Sequence, residues 1–326
     1  MHKHFNYCAG LTMTNGRFEK LFGGPPRKPE LLLTQMEMDL ARSVREVTEE
    51  VMLRMARHVH KETGQKKLCL AGGVALNYVG NGKILRDWPF ENIWIQPSAG
   101  DAGGAVGATL FVWYQYLENN RVADSMKDFQ HGSYLGPKYE KSYLSDYLKR
   151  NNIPYVELRD EEIPDKIADL IADQKVIGWF QGRMEFGPRA LGARSIIGDA
   201  RSPQMQEIMN LKTKFRESFR PFAPSVLRKR VSDYFEIDKE SPYMLLVALV
   251  RKEIRREMSN EEQRLFGIAK LNVIRSSIPA VTHIDYSARI QTVDKDNNPL
   301  YYRMIKKFDK KYGCPVIINT SIPRST

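Results

Sequence analysis

The sequence predicts an α/β protein of two domains, and three observations carry the prediction. The chain has 326 residues, enough for two cores of ordinary size. Its first third alternates patterns in the order helix, strand, glycine turn, helix, strand, glycine turn, helix. Both turns, Gly72-Gly73 and Gly100-Asp101-Ala102-Gly103-Gly104, fall where an apolar strand gives way to a helix. Hydrophobic residues make up 42% and charged residues 27%, which argues against a disordered chain. No run of about 18 apolar residues exists, so no membrane partner is expected. The N-terminus lacks the basic and apolar regions of a signal peptide. The three cysteines, Cys8, Cys69 and Cys314, form no CxxC pair, so a reducing cytoplasm is expected.

The elements follow in chain order. Residues 1–34 read as irregular, because Asn15-Gly16, Gly23-Gly24-Pro25-Pro26 and Pro29 are turn signals. A long helix opens with Thr34 as N-cap and Glu37 three positions on, a capping-box pattern, and ends near Gly64. Its residues Leu40, Val44, Val47, Val51, Met55 and Val59 step by three or four and predict one buried stripe. A strand over 67–71, a helix over 76–86, a strand over 92–96 and a helix over 105–118 complete the first region. Residues 119–137 are polar and turn-rich. The expected boundaries are therefore a first domain over 1–125, a linker region over 126–154 and a second domain over 155–326. In the second, 142–151 and 163–173 read as helices, and 176–180, 244–250 and 315–318 as strands. Residues 183–242 are dense in motifs and show no clear element.

The net charge of +11 demands a partner chemistry. Much of the excess lies between Arg183 and Arg230, beside glycines, prolines and serines. That placement favours small phosphorylated anions over nucleic acid.

Four motifs carry chemistry. In Ala71-Gly72-Gly73-Val74-Ala75-Leu76-Asn77, two glycines let backbone N–H groups approach a phosphate or ribose, and Asn77 is placed to hold a hydroxyl. The same residues also read as a tight strand-to-helix turn with nothing bound. The second turn adds an acid, Asp101, which suggests a metal ligand between carboxylate and nucleotide; Asp101 reads equally as a helix N-cap. Two such turns, 28 positions apart, together favour a nucleotide cleft. The third motif, Gln181 to Ser195, threads Arg183, Arg189 and Arg194 among glycines, a pattern suited to bidentate phosphate or carboxylate binding. Its alternative is a set of surface arginines paired with Glu185 and Asp199. The fourth, Asn210 to Ser225, alternates basic residues with Phe215, Phe219 and Phe222. A single-stranded nucleic-acid groove is one reading; phenylalanine core anchors that fix Lys214 and Arg220 at an anion site is the preferred one. His2, His4, His58, His60, His131 and His283 form no metal-ligand pattern, and no nucleophile–base arrangement stands out.

The segments AGGVALN (71–77), PFENIWIQPSAGDAGGAVGA (89–108), WFQGRMEFGPRALGARSIIGDAR (179–201) and FRESFRPFAPSVL (215–227) closely resemble the carbamoyltransferase family that includes the nodulation protein NodU and antibiotic carbamoylation enzymes. The resemblance runs from about residue 5 to Ser321. It implies the C-terminal half of an ASKHA-type nucleotide-binding domain, followed by a YrdC-like α/β domain incomplete at its C-terminus. The implied activity is ATP-dependent O-carbamoyl transfer. Carbamoyl adenylate would form from carbamoyl phosphate and ATP, and its carbamoyl group would pass to a hydroxyl of a small acceptor. By matched motif, Arg189, Lys214, Arg220, Arg289 and Ser321 resemble the carbamoyl-phosphate and nucleotide ligands. Gly72, Gly73, Asn77, Gly100, Gly103, Gly104, Arg183 and Arg194 would flank the nucleotide. Asp101 resembles the aspartate ligand of iron(II) or another divalent metal, with Mg2+ a further expectation beside ATP.

The departures matter as well. Family members begin with a further segment that carries the first ASKHA half and a His-x-x-x-His metal pair, which His2 and His4 do not reproduce. Completion by a separate chain supplying that half is one expectation; an inactive remnant of a split or frameshifted gene and a tRNA-binding relative are the alternatives. At the other end, Asn319-Thr320-Ser321 is followed by Ile322-Pro323-Arg324-Ser325-Thr326 instead of the family's Phe-Asn.

Overall fold

The computed structural model describes residues 3–6, 12–28, 31–87, 90–122, 124 and 128–322. The readings of His2, Cys8, Pro29 and the tail 323–326 lie outside the described residues. The chain divides into two compact units, 1–51 and 52–326.

In the first unit, helix α1 (Gly16–Phe22) occupies a stretch that reads as irregular in sequence. Asn15 is its N-cap: the side chain accepts from the amides of Arg17 and Phe18, and Gly23, at φ +83°, ends the helix. A short Asn side chain that folds back on the backbone serves a turn or an N-cap equally, so Asn-Gly alone does not separate them. Helix α2 (Gln35–Thr63) starts where its capping box predicts. The Thr34 amide and hydroxyl donate to the Glu37 carboxylate at 2.7 and 2.6 Å. The expected stripe is a correction: Val44, Val47, Val51, Met55 and Val59 are 41–66% exposed. The buried apolar positions are Met52, Leu53 and Ala56, which pack with Ile84 and Phe90 in the second unit's own core. The helical period is right, but the face is rotated, because only tertiary contacts decide which side of a long helix meets a core.

The second unit holds two sheets. Strands β1 (Lys67–Leu70) and β2 (Asn92–Ile95) pair in parallel across helix α3 (Tyr78–Asp87). Helix α4 (Ala102–Phe111) follows, and a wider helical turn continues it to Tyr116. No residue of α4 is buried, and Leu110, Phe111, Trp113 and Tyr116 are exposed. Helices α5 (Lys141–Arg150) and α6 (Ile163–Ala172) lead into a six-stranded mixed sheet. Its strands are β3 (Ile177–Phe180), β4 (Arg194–Asp199), β5 (Ala223–Leu227), β6 (Leu246–Leu249), β7 (Ser287–Val293) and β8 (Val316–Ser321). The order is β3-β4-β8-β5-β7-β6, and only β5–β7 is parallel.

The helix Pro299–Tyr312 buries Tyr301, Met304, Ile305 and Phe308 in the main core with Ala168, Ile171, Val226 and Ile317. Lys307 and Lys311 tie it to Asp165 and Asp169 of α6. Strand β8 runs three residues past its expected end, because Asn319, Thr320 and Ser321 keep pairing with Ile197, Ile196 and Ser195 of β4. A second cluster joins the glycine-turn region to this sheet: Ala75, Ile95 and Ala99 pack with Leu191, Ala223 and Leu246. Beneath it the Asn81 amide donates to the carbonyls of Ala75 and Leu245 at 2.9 and 3.1 Å. No described helix is long and apolar enough to cross a membrane.

Candidate functional site

The loop between β3 and β4 is held by polar side chains from both sides. Glu185 is buried and accepts from the amides of Leu191, Ala193 and Arg194 at 2.7, 2.8 and 3.3 Å. On the carbonyl side, Asn319 donates to Ala190, and Gln291 and Tyr134 donate to Leu191. Gly192 sits at φ +102° against Tyr301, where a Cβ would fall 2.5 Å from the ring. These bonds hold the turn's amides and carbonyls from both sides, which fixes the direction of the side chains it carries.

Of the three motif arginines, two fasten this loop. Arg194 donates to the carbonyls of Gln181, Ala193, Gly182 and Pro137 and lies 3.5 Å from the Phe180 ring centroid. Arg183 donates to the Gly136 carbonyl at 3.1 Å. The alternative of surface ion pairs with Glu185 and Asp199 is corrected, since Glu185 binds amides and Asp199 pairs with Arg201 at 2.7 Å.

Arg189 turns the other way. It donates to the Leu76 carbonyl at 3.4 Å, and its Nε is buried with no partner. Arg189 and Arg289 of β7 both lie over the Tyr78 ring, at 6.0 and 4.9 Å from its centroid. Arg216 stands within electrostatic reach of Arg289 and donates to Asn210 Oδ1 at 2.7 Å. Lys214 donates to the carbonyl of Ser321 and reaches its hydroxyl at 3.3 Å. Arg220 is exposed and pairs with Glu217 at 3.3 Å. Of the phenylalanines expected as anchors, Phe222 is buried, but Phe215 is 83% exposed, a correction to that reading.

Burial and mutual repulsion depress these cations. Burial pushes Arg289 down to about 10, with Arg189 and then Arg216 adding to it as like charges. Arg189 is lowered by burial, Lys214 by burial and then Arg216, and Arg216 by burial and then Arg220. Among the described residues no carboxylate forms an ion pair with Arg189, Lys214, Arg216 or Arg289. Glu217 offsets this only in part at Arg216, and cations gathered in a half-buried cleft without a paired carboxylate repel one another unless an anion joins them.

The glycine turns meet the same loop. Gly72, at φ +95°, Gly73 and Gly104 face open space, and Gly100 lies beside Leu76. Gly103 is packed so closely that a Cβ would fall 2.3 Å from the Ser98 carbonyl oxygen. The first turn reaches the cations through Leu76 and Tyr78. The second does so through Ser98, whose hydroxyl donates to the Phe186 carbonyl at 2.7 Å, with Gly187 at φ +140° allowing the approach. The Asn77 side chain accepts from the Gly80 amide at 3.2 Å, so it stabilises the start of α3. Asp101 is exposed and holds the N-cap position of α4, but its side chain makes no cap hydrogen bond. Among the described residues no three His, Cys, Asp or Glu side chains gather as metal ligands. Asp101 is thus a lone carboxylate among the described residues.

Arg189, Arg289, Lys214 and Ser321 are thus brought together, with Arg220 at the rim, whereas Arg183 and Arg194 are structural fasteners. Glu185, Arg216, Gln291, Asn319 and Tyr78 join them without having been singled out by pattern. Arg216 had a signal in its basic neighbours; Tyr78 had none.

Residues 168–325 match the family model described as the carbamoyltransferase C-terminus, and residues 1–110 the one described as the carbamoyltransferase N-terminus. The chain belongs to the carbamoyltransferase family, a family of transferases. It is 56% identical over 320 residues to an uncharacterized protein of Synechocystis sp., covering 98% of this chain and 52% of that protein. It is 38% identical over 302 residues to the nodulation protein NolO of Bradyrhizobium diazoefficiens, covering 90% of this chain and 50% of that protein. To the nodulation protein NolNO of Sinorhizobium fredii it is 37% identical over 298 residues, covering 90% of this chain and 40% of that protein. The chain spans about half the length, or less, of these curated relatives.

Proposed function

We propose that this chain carries the carbamoyl-donor site of an ATP-dependent O-carbamoyltransferase. The observation that carries the reading is the cluster of Arg189, Lys214, Arg216 and Arg289, which has no carboxylate ion pair among the described residues. Carbamoyl phosphate supplies the missing negative charge. Arg189, with a buried unpartnered Nε, and Arg289 bind the phosphate oxygens, and Lys214 and Arg216 neutralise charge as phosphate leaves. The open backbone at Gly72, Gly73 and Gly104 offers ATP an approach without side chains in the way. Water cleaves carbamoyl phosphate to carbamate and inorganic phosphate, and the carbamate oxygen attacks the α-phosphorus of ATP to give carbamoyl adenylate with loss of pyrophosphate. Attack by an acceptor hydroxyl on the carbamoyl carbon releases AMP. On this reading the first domain is of the ASKHA type and the second YrdC-like.

The apolar side chains exposed along α2 and α4 support completion by a further half-domain. Exposed apolar faces of this kind mark surfaces that another element covers, and the longer relatives have further residues from which such an element can come.

The test is carbamoyl-phosphate-dependent release of pyrophosphate from ATP by the 326-residue chain, alone and with the preceding half of a full-length relative added. Release is expected, with its loss in Arg189→Ala and Lys214→Ala. No release under either condition refutes the proposal.

A further inference from the structure

Tyr78 is the residue of the site that no charge argument requires. It opens α3, directly after the first glycine turn, and its ring lies 6.0 Å from Arg189 and 4.9 Å from Arg289. The two arginines come from different elements, the β3–β4 loop and β7, and repel each other across a partly buried space. Neither has a carboxylate ion pair among the described residues, and Arg189 leaves its buried Nε unpartnered. The negative face of an aromatic ring attracts a guanidinium without a formal charge. A carboxylate in that position would also attract both arginines, but it would compete with an incoming anion. A ring does not.

We infer that Tyr78 is a positioning residue that stands in for a counter-ion, holding Arg189 and Arg289 together and apart at a spacing that a phosphate group can bridge. The inference rests on the anion-site reading given above. The ring also lies at the joint of two segments, because Arg189 donates to the carbonyl of Leu76, two residues before Tyr78. Movement of the guanidinium pair on binding an anion is therefore felt at the first glycine turn. The aromatic face is the working part. The hydroxyl makes no hydrogen bond to either arginine in the structure, so phenylalanine should serve and an aliphatic side chain should not.

The experiment is calorimetric titration of the 326-residue chain with inorganic phosphate and, separately, carbamoyl phosphate, for the parent, Tyr78→Phe and Tyr78→Leu, with thermal melting as a folding control. Tyr78→Phe should bind both within about twofold of the parent, and Tyr78→Leu about tenfold more weakly at an unchanged stoichiometry. In turnover, the leucine variant should raise KM for carbamoyl phosphate and leave kcat near the parent's. A general packing role would instead lower the melting temperature of both variants and leave the affinity of the folded fraction unchanged. Equal binding by parent and Tyr78→Leu overturns the inference while sparing the anion site. So does a loss in Tyr78→Phe as large as in Tyr78→Leu. No binding by the parent overturns both.

Discussion

Replacing Arg289 by methionine separates the stability of this fold from its function. The charged guanidinium is disfavoured in the folded chain, its pKa falling well below the ordinary guanidinium range to about 10, first by burial and then by Arg189. At 1.36 kcal/mol per unit this is about 3 kcal/mol carried by the folded state throughout the neutral range. Methionine keeps an unbranched apolar stem beside Tyr78 and removes the charge. Part of the gain is lost with the cation–π contact, and part was screened already, because Arg289 is not wholly enclosed. The net expectation is a variant more stable by about 1–2 kcal/mol, melting a few degrees above the parent in phosphate-free buffer. Phosphate reverses the order. At a hundred times Kd it stabilises the parent by about 2.7 kcal/mol, whereas the variant should gain little. Melting curves by scanning fluorimetry, with and without phosphate, read both effects. A variant that melts lower than the parent without phosphate, and responds equally to it, refutes the electrostatic account of the cluster.

Three further outcomes follow from the same geometry. Glu185→Gln leaves one neutral acceptor where a carboxylate now receives three amides, and should cost about 1–3 kcal/mol in urea denaturation and weaken phosphate binding. Gly192→Ala places a Cβ 2.5 Å from Tyr301 at φ +102°, so it should cost about 2 kcal/mol or more and show as reduced soluble yield or a lower denaturation midpoint. Phosphate affinity should stay level from pH 8 to about 9 and fall as Arg289 loses its proton at about 10. The sign for stability is opposite: a cation whose folded pKa lies below its unfolded value binds fewer protons when folded, so its penalty lifts as pH rises above about 10. Parent minus Arg289→Met, titrated by calorimetry and by denaturation, isolates both trends.

Local signals were legible where one residue type has one backbone use. Thr34 with Glu37 started α2, and Gly64 at φ +64° closed it, as the pattern predicts. The glycine turns at 72–73 and 100–104 do end β1 and β2. Polar residues at strand positions hid β5, β7 and the end of β8. Asn319 and Ser321 belong to β8, and Ser225 and Gln291 are buried in β5 and β7, where they bond each other rather than water. Sequence patterning expects apolar residues at such places, so strands built on an internal polar network do not announce themselves.

The same division holds for the site. From its motifs alone, the sequence determined that a basic, glycine-rich segment with the chemistry of a small-anion site accompanies two strand–glycine–helix turns, because guanidinium groups and bare backbone have few other uses at that density. Only the tertiary structure decided which arginines are placed to do it. Arg194 and Arg183 look equivalent to Arg189 along the chain, yet their donors reach carbonyls of 136–137 and 181–193, which no spacing rule reveals. Tertiary packing likewise put Tyr78 against Arg289, 211 positions away in the chain, and rotated α2 so that its expected buried stripe faces outward. Periodicity specifies a face and composition a charge. Which face and which charge meet is set by contacts between residues far apart in sequence.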